Sequence, residues 1–214
     1  MKKAICLLAV LFLLGCLLLA VAAERPVRFE DVNLRRAVNH ALGDPGVRDD
    51  WVSRVHRIVR SAVGLKGGPQ EYLPKPSDML MLQALSARDL QFVVLHLGGI
   101  EYAGSLTKLE LNRQHIADIS ALSELENLRE LSLSHNRIKD ISALAGLTNL
   151  KVLELEGNQI SDISALVSLR RLESLNLKAN PLNREAYDVH LPQIVANNPG
   201  MKLIVDPKKS PARQ

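Results

Sequence analysis

Apolar positions in the second half of the chain recur with a long period. The trio Leu106, Leu109 and Leu111 returns as Leu128, Leu131 and Leu133, as Leu150, Leu153 and Leu155, and as Leu172, Leu175 and Leu177, every 22 residues. Self-similarity at such a period marks a solenoid, whose coils bury their apolar residues only against one another. The last two leucines of each trio are two apart, the spacing of one face of a short strand. An asparagine follows at Asn136, Asn158 and Asn180, with Gln114 in the first unit. A carboxamide both donates and accepts, so stacked copies satisfy the backbone groups of a tight buried turn. Gln114 departs from this pattern and is expected to loosen the ladder at its end.

Ile116, Ile138 and Ile160 then point inward, and "DIS" follows at 118–120, 140–142 and 162–164. Asp and Ser oxygens accept free N–H groups beside a helical turn, so each "DISAL" predicts one short turn of helix. Leu122 with Leu125, Leu144 with Leu147, and Leu166 with Leu169 face back to the core. Upstream, "LQALSARDLQFVVLHLGGIEYAGS" reads as an irregular earlier coil with Leu82, Leu85, Leu97 and Ile100 in core roles. Before it, "VRFEDVNLRRAVNHALGDP" predicts a helix capped by Asp31, with Leu34, Val38, Ala41 and Leu42 on one face and Gly43 as its stop. Between Gly46 and Pro74, a run with Trp51, Val55, Ile58, Val59 and Ala62 at helical spacing precedes a Gly/Pro-rich loop. Downstream, Pro181 displaces the repeat. Asn183 caps a helix through Ala186, Tyr187 and Val189, Pro192 begins another turn, "NNPG" ends it, and "MKLIVD" makes a last strand.

The pattern L-x-x-L-x-L-x-x-N-x-I-x-D-I-S-x-L-x-x-L, running from Leu106 to Pro181, resembles the 22-residue leucine-rich repeat of bacterial internalin-like and phosphatase-regulatory proteins. The resemblance implies an α/β fold, a right-handed leucine-rich repeat solenoid with short parallel strands on its concave face and 3-10 or helical turns on its convex side. It further implies a helical N-terminal cap and an α/β C-terminal cap. The chain then divides into a signal peptide or N-terminal anchor (1–23), an N-terminal cap with an inserted helix and loop (24–81), the repeats (82–181), a C-terminal cap (182–206) and a disordered basic tail (207–214). The interval from Gly46 to Pro74 departs from the family's usual cap.

The first 23 residues, "MKKAICLLAVLFLLGCLLLAVAA", place two lysines before an apolar run and small residues before Glu24, the layout of an export signal cleaved after Ala22 or Ala23. Residues 4–23 would form a helix of about 30 Å, which also suits an uncleaved membrane anchor. "LLGC" at Leu13 to Cys16 resembles a lipoprotein box, although the apolar "LLLAVAA" after Cys16 counts against lipidation there. All three readings send the domain out of the cytoplasm, to a secreted, periplasmic or surface-held location. Cys6 and Cys16 are the only cysteines, so a chain cleaved after Ala23 holds itself together by packing alone.

Charge and chemistry narrow the function. There are 27 Lys and Arg against 23 Asp and Glu, and three Phe, three Tyr and one Trp. That balance and that scarcity of rings exclude a nucleic-acid binder. No P-loop, G-x-S-x-G, H-E-x-x-H, EF-hand loop, C-x-x-C or G-x-G-x-x-G occurs. The six histidines are scattered, which predicts solvated or capping roles and no metal or other cofactor. Arg54, Arg57 and Arg60 recur on the polar side of the Trp51 run, and a solvated helix face explains them more simply than lipid contact.

The outward strand positions remain as the candidate site: Lys108, Glu110 and Asn112; Glu130, Ser132 and Ser134; Val152, Glu154 and Glu156; Ser174, Asn176 and Lys178. Strand spacing puts Glu110 and Glu154 about 10 Å apart, slightly beyond the separation an inverting glycosidase uses, on an open sheet that offers no pocket to tune either acid. The expectation is therefore not an enzyme. It is a monomeric interaction module whose concave face, acidic at Glu110, Glu130, Glu154 and Glu156 with Lys108 and Lys178 at its edges, docks a protein or surface polymer, Val152 being the apolar hot spot. The alternative is a membrane-anchored structural component of the envelope without a specific ligand. A hydrolase seated between Gly46 and Pro74 would have only His56 and nearby acids to work with.

Overall fold

The computed structural model describes residues 27–42, 74–87 and 93–208. The expected signal or anchor, the Trp51 run with its three arginines, the Gly43 stop and the end of the basic tail lie outside those residues. Among the described residues, no helix is long and apolar enough to cross a membrane.

Six three-residue strands form one parallel sheet in sequence order: β1 (Ala84–Ser86), β2 (Lys108–Glu110), β3 (Glu130–Ser132), β4 (Val152–Glu154), β5 (Ser174–Asn176) and β6 (Lys202–Ile204). The register is unbroken, with Leu85, Leu109, Leu131, Leu153, Leu175 and Leu203 aligned in one inward column. Equal repeat length is the cause, because each coil returns the chain by one strand spacing without slipping the pleat. Leu109, Leu131, Leu153 and Leu175 are all but inaccessible, as are Ile116, Ile138, Ile160 and the paired leucines of each turn.

Each "DISAL" folds as a 3-10 turn, at Ser120–Leu122, Ser142–Leu144 and Ser164–Ser168. The aspartates open them as expected: Asp118, Asp140 and Asp162 each accept from the N–H two residues on, at 2.8 Å. Ile119, Ile141 and Ile163, between that Asp and Ser, add a further buried column.

The asparagine turn carries the most buried polar chemistry. Asn136 accepts from Gln114 N–H and Ile116 N–H and donates to the carbonyls of Leu111 and Leu133, all at 2.8–3.0 Å. Asn158 and Asn180 repeat the scheme one and two coils on. Gln114 keeps the accepting half of it, while its amide donates to Asn112 O in its own coil. Its longer side chain reaches back to Val94 N–H at 2.9 Å, 20 residues upstream, the same offset by which Asn136 serves Ile116. Asn198 closes the far end, accepting from Leu172 N–H and donating to Leu169 and Ile194.

Helix α1 (Val32–Ala41) covers the β1 end. Asp31 caps it by accepting from Asn33 and Leu34 N–H, and its second oxygen accepts from Leu95 and His96 N–H, tying the helix to the irregular coil. Leu34 and Val38 are buried as expected, whereas Ala41 is exposed and Ala37 takes the inward place. Helix α2 (Pro76–Met79) buries Met79 beside it.

At the other end, Asn183 accepts from Ala186 N–H at 2.7 Å, as a cap should. The helix then runs on through a π-type turn (Ala186–His190) into α3 (Leu191–Asn197). Pro192 lies in the first turn of α3, where it was expected to begin a turn. Lacking an N–H, it cannot make the regular helical bond, and the widened turn absorbs the loss. Lys208, expected in a disordered tail, is held by Asp188.

Candidate functional site

The outer face of the sheet consists of the strand residues whose neighbours point inward. Three columns cross it. The first runs Ala84, Lys108, Glu130, Val152, Ser174 and Lys202, and the second Ser86, Glu110, Ser132, Glu154, Asn176 and Ile204. A third, Asn112, Ser134, Glu156 and Lys178, follows where ladder bonds continue past the strands, from Arg113 N–H to Ser134 O, His135 N–H to Glu156 O, and Gly157 N–H to Lys178 O. All twelve candidate residues thus belong to one ordered array, but they are not equivalent.

Lys108 does not stand apart at an edge. Its ammonium lies 3.0 Å from Glu110 and 2.9 Å from Glu130, within one strand and across to the next. The hydrogen bond it donates to Glu130, then that to Glu110, holds its pKa above the usual lysine value. Both carboxylates therefore share one cation. Among the described residues Glu154, half-buried in the middle, has no ion pair, and the Glu156 carboxylate accepts only from the Asn176 amide, at 3.1 Å. The carboxylates with no ion pair among the described residues sit toward the C-terminal half, beside half-buried Val152 and Ser174.

Two candidate residues serve the scaffold. Asn112 accepts from Ser134 N–H at 2.7 Å. Asn176 is 7% exposed, accepts from Lys178 N–H and donates to Glu156, so it presents little to a partner.

Just past the array, Arg113, His135, Gly157 and Ala179 occupy the same place in four successive coils, with φ of 60°, 58°, 69° and 56°. Only glycine takes that conformation freely. A Cβ on Gly157 would come 2.5 Å from His135 Nδ1, so the His135 ring occupies the space the glycine leaves. This left-handed column went unread in the sequence, where Gly157 was its one clue.

Residues 104–160 and 127–182 match the family described as leucine rich repeat. No curated protein matches the chain. An internalin (inlF) from Listeria monocytogenes has a similar structure, with 28% identity over 86% of this chain and a TM-score of 0.65. The chain spans 46% of that protein's length. Internalin C2 from the same organism is 22% identical at a TM-score of 0.40, covering 86% of this chain and 91% of that one. A leucine-rich repeat protein of Leptospira interrogans is 24% identical at a TM-score of 0.45, covering 52% and 28%. With 22-residue coils, an in-register parallel sheet and carboxamide-closed turns, this is a leucine-rich repeat protein similar to bacterial internalins.

Proposed function

We propose that this protein is a non-enzymatic interaction module, exported or held at the cell surface, that binds a protein partner on the concave strand face. One observation carries the reading. The unbroken register sets half-exposed Val152, Glu154 and Ser174 side by side at the centre of a regular polar face, although the core beneath is already closed by its own leucines. Solenoids use such extended faces for binding. The partner's cation faces Glu154 and Glu156, because Glu110 and Glu130 already share Lys108. An aliphatic or aromatic side chain packs on Val152, where desolvation gives the largest return. Export rests on the N-terminal 23 residues and on the likeness to an internalin.

The test immobilises the wild type, Val152→Asp and Glu154→Lys and exposes each to a surface extract. Loss of the same captured protein by both variants, with unchanged circular dichroism, supports the reading. Undiminished capture by both removes the strand face from the function.

A further inference from the structure

Each carboxamide of the ladder serves the coil before it. Gln114 accepts from Val94 N–H, Asn136 from Ile116, Asn158 from Ile138 and Asn180 from Ile160. The amide groups of Asn136, Asn158 and Asn180 also donate back to the carbonyls of Leu111, Leu133 and Leu155. The next station in this series comprises Leu182 N–H and Leu177 O, and no carboxamide of the following coil reaches it among the described residues. Leu182 N–H has no partner among the described residues. Leu133 O and Leu155 O each accept from two side-chain amides, whereas Leu177 O accepts from Asn180 alone. Counting on from the β5–β6 register, Lys208 lies opposite Asn180, and its ammonium runs instead to Asp188.

A groove of about 830 Å³ opens here, lined by Asn180 and Ala179 and by the apolar surfaces of Pro181, Leu182, Tyr187 and Pro207. The charges at its rim are spoken for. Arg184 and Lys208 both hold Asp188, and Asp206 accepts from Ala179 N–H at 2.6 Å. What the groove lacks is a neutral group that accepts one hydrogen bond and donates another. A carboxylate would be repelled by the Leu177 carbonyl, and an ammonium has nothing to offer the Leu182 N–H. A carboxamide suits both, as it does at three successive stations in this same molecule.

We propose that this groove is a second binding site, separate from the strand face, that takes a loop of a protein partner presenting an asparagine carboxamide between apolar residues. The loop continues the coil-to-coil interface across the molecular boundary. Its recognition depends neither on the strand face nor on the acids there.

The probe is the blocked hexapeptide Leu-Ser-His-Asn-Arg-Ile, the sequence of residues 133–138, which fills the equivalent station inside the solenoid. Titrated into the 15N-labelled full chain, it shifts the Leu182 and Ala179 amide resonances saturably. Peptides with Asp or Leu in place of Asn bind at least about tenfold more weakly, since each loses one or both hydrogen bonds. Pro207→Trp and Lys208→Trp, at exposed positions, fill the groove and abolish the shifts. Val152→Asp on the strand face leaves them intact, which keeps this site distinguishable from the other. Equal binding of the three peptides, absence of a saturable shift, or undiminished binding to both tryptophan variants overturns the proposal.

Discussion

Asn136→Ala tests the ladder at its best-connected rung. The side chain is 6% exposed and makes four hydrogen bonds. Truncation strands Gln114 N–H, Ile116 N–H and Leu111 O, while Leu133 O keeps Asn158. Each buried group left without a partner costs about 1–3 kcal/mol, and water entering the vacated amide volume returns part of that. The expected loss is about 3–5 kcal/mol, a large share of a typical domain's 5–15 kcal/mol. Asn180→Ala provides the internal comparison. That residue is half-exposed at the last rung, Leu155 O keeps Asn158, and Ile160 N–H and Leu177 O are stranded where water reaches them, so about 1–2 kcal/mol is expected. Asn136→Gln should fall between the two. Gln114 shows that the longer chain still finds an N–H one coil back, but its own amide turns to Asn112 O and away from the leucine carbonyls. Urea unfolding followed by far-UV circular dichroism, read as a midpoint shift at constant slope, measures all three. If Asn136→Ala costs no more than Asn180→Ala, the ladder is not what closes the turns.

Three further predictions follow from other parts of the coil. Gly157→Ala should destabilise by about 1–3 kcal/mol, from the left-handed φ and the clash with His135. Adding His135→Gly should recover the clash component alone, and a thermal melt showing simple additivity would count against that contact. Leu153→Ala should cost about 2–5 kcal/mol by opening a cavity in the central column, against under about 1 kcal/mol for Val152→Ala on the outer face, both read by urea titration. The Asp118 and Asp162 carboxyls titrate below their ordinary value, chiefly because the N–H groups of Ser120 and Ser164 bond the ionised form. A depressed folded-state pKa gives stabilisation that is present at neutral pH and fades as pH falls from about 4 through the lowered value. The double variant Asp118→Asn, Asp162→Asn keeps an accepting oxygen but does not titrate. It should flatten the acid limb of a pH–stability profile with little change at pH 7, and an unaltered limb would refute the assignment.

The sequence by itself determined the coil. A 22-residue recurrence of leucine, isoleucine and asparagine admits one way of hiding aliphatic groups and turn backbone together, and strand pairing at fixed repeat length forces Glu110, Ser132, Glu154 and Asn176 into one column. Only the tertiary structure decided what each side chain does once it is there. Reach and rotamer, which periodicity does not encode, let Lys108 bridge two glutamates and leave Glu154 without an ion pair among the described residues. They let Gln114 keep a bond that its length was expected to loosen, and they turned Asn176 from a contact residue into a brace. Where the repeat stops, at Pro181, the periodic argument stops too. The station beside Leu182 became visible only once the chain's return along β6 had carried Lys208 away to Asp188.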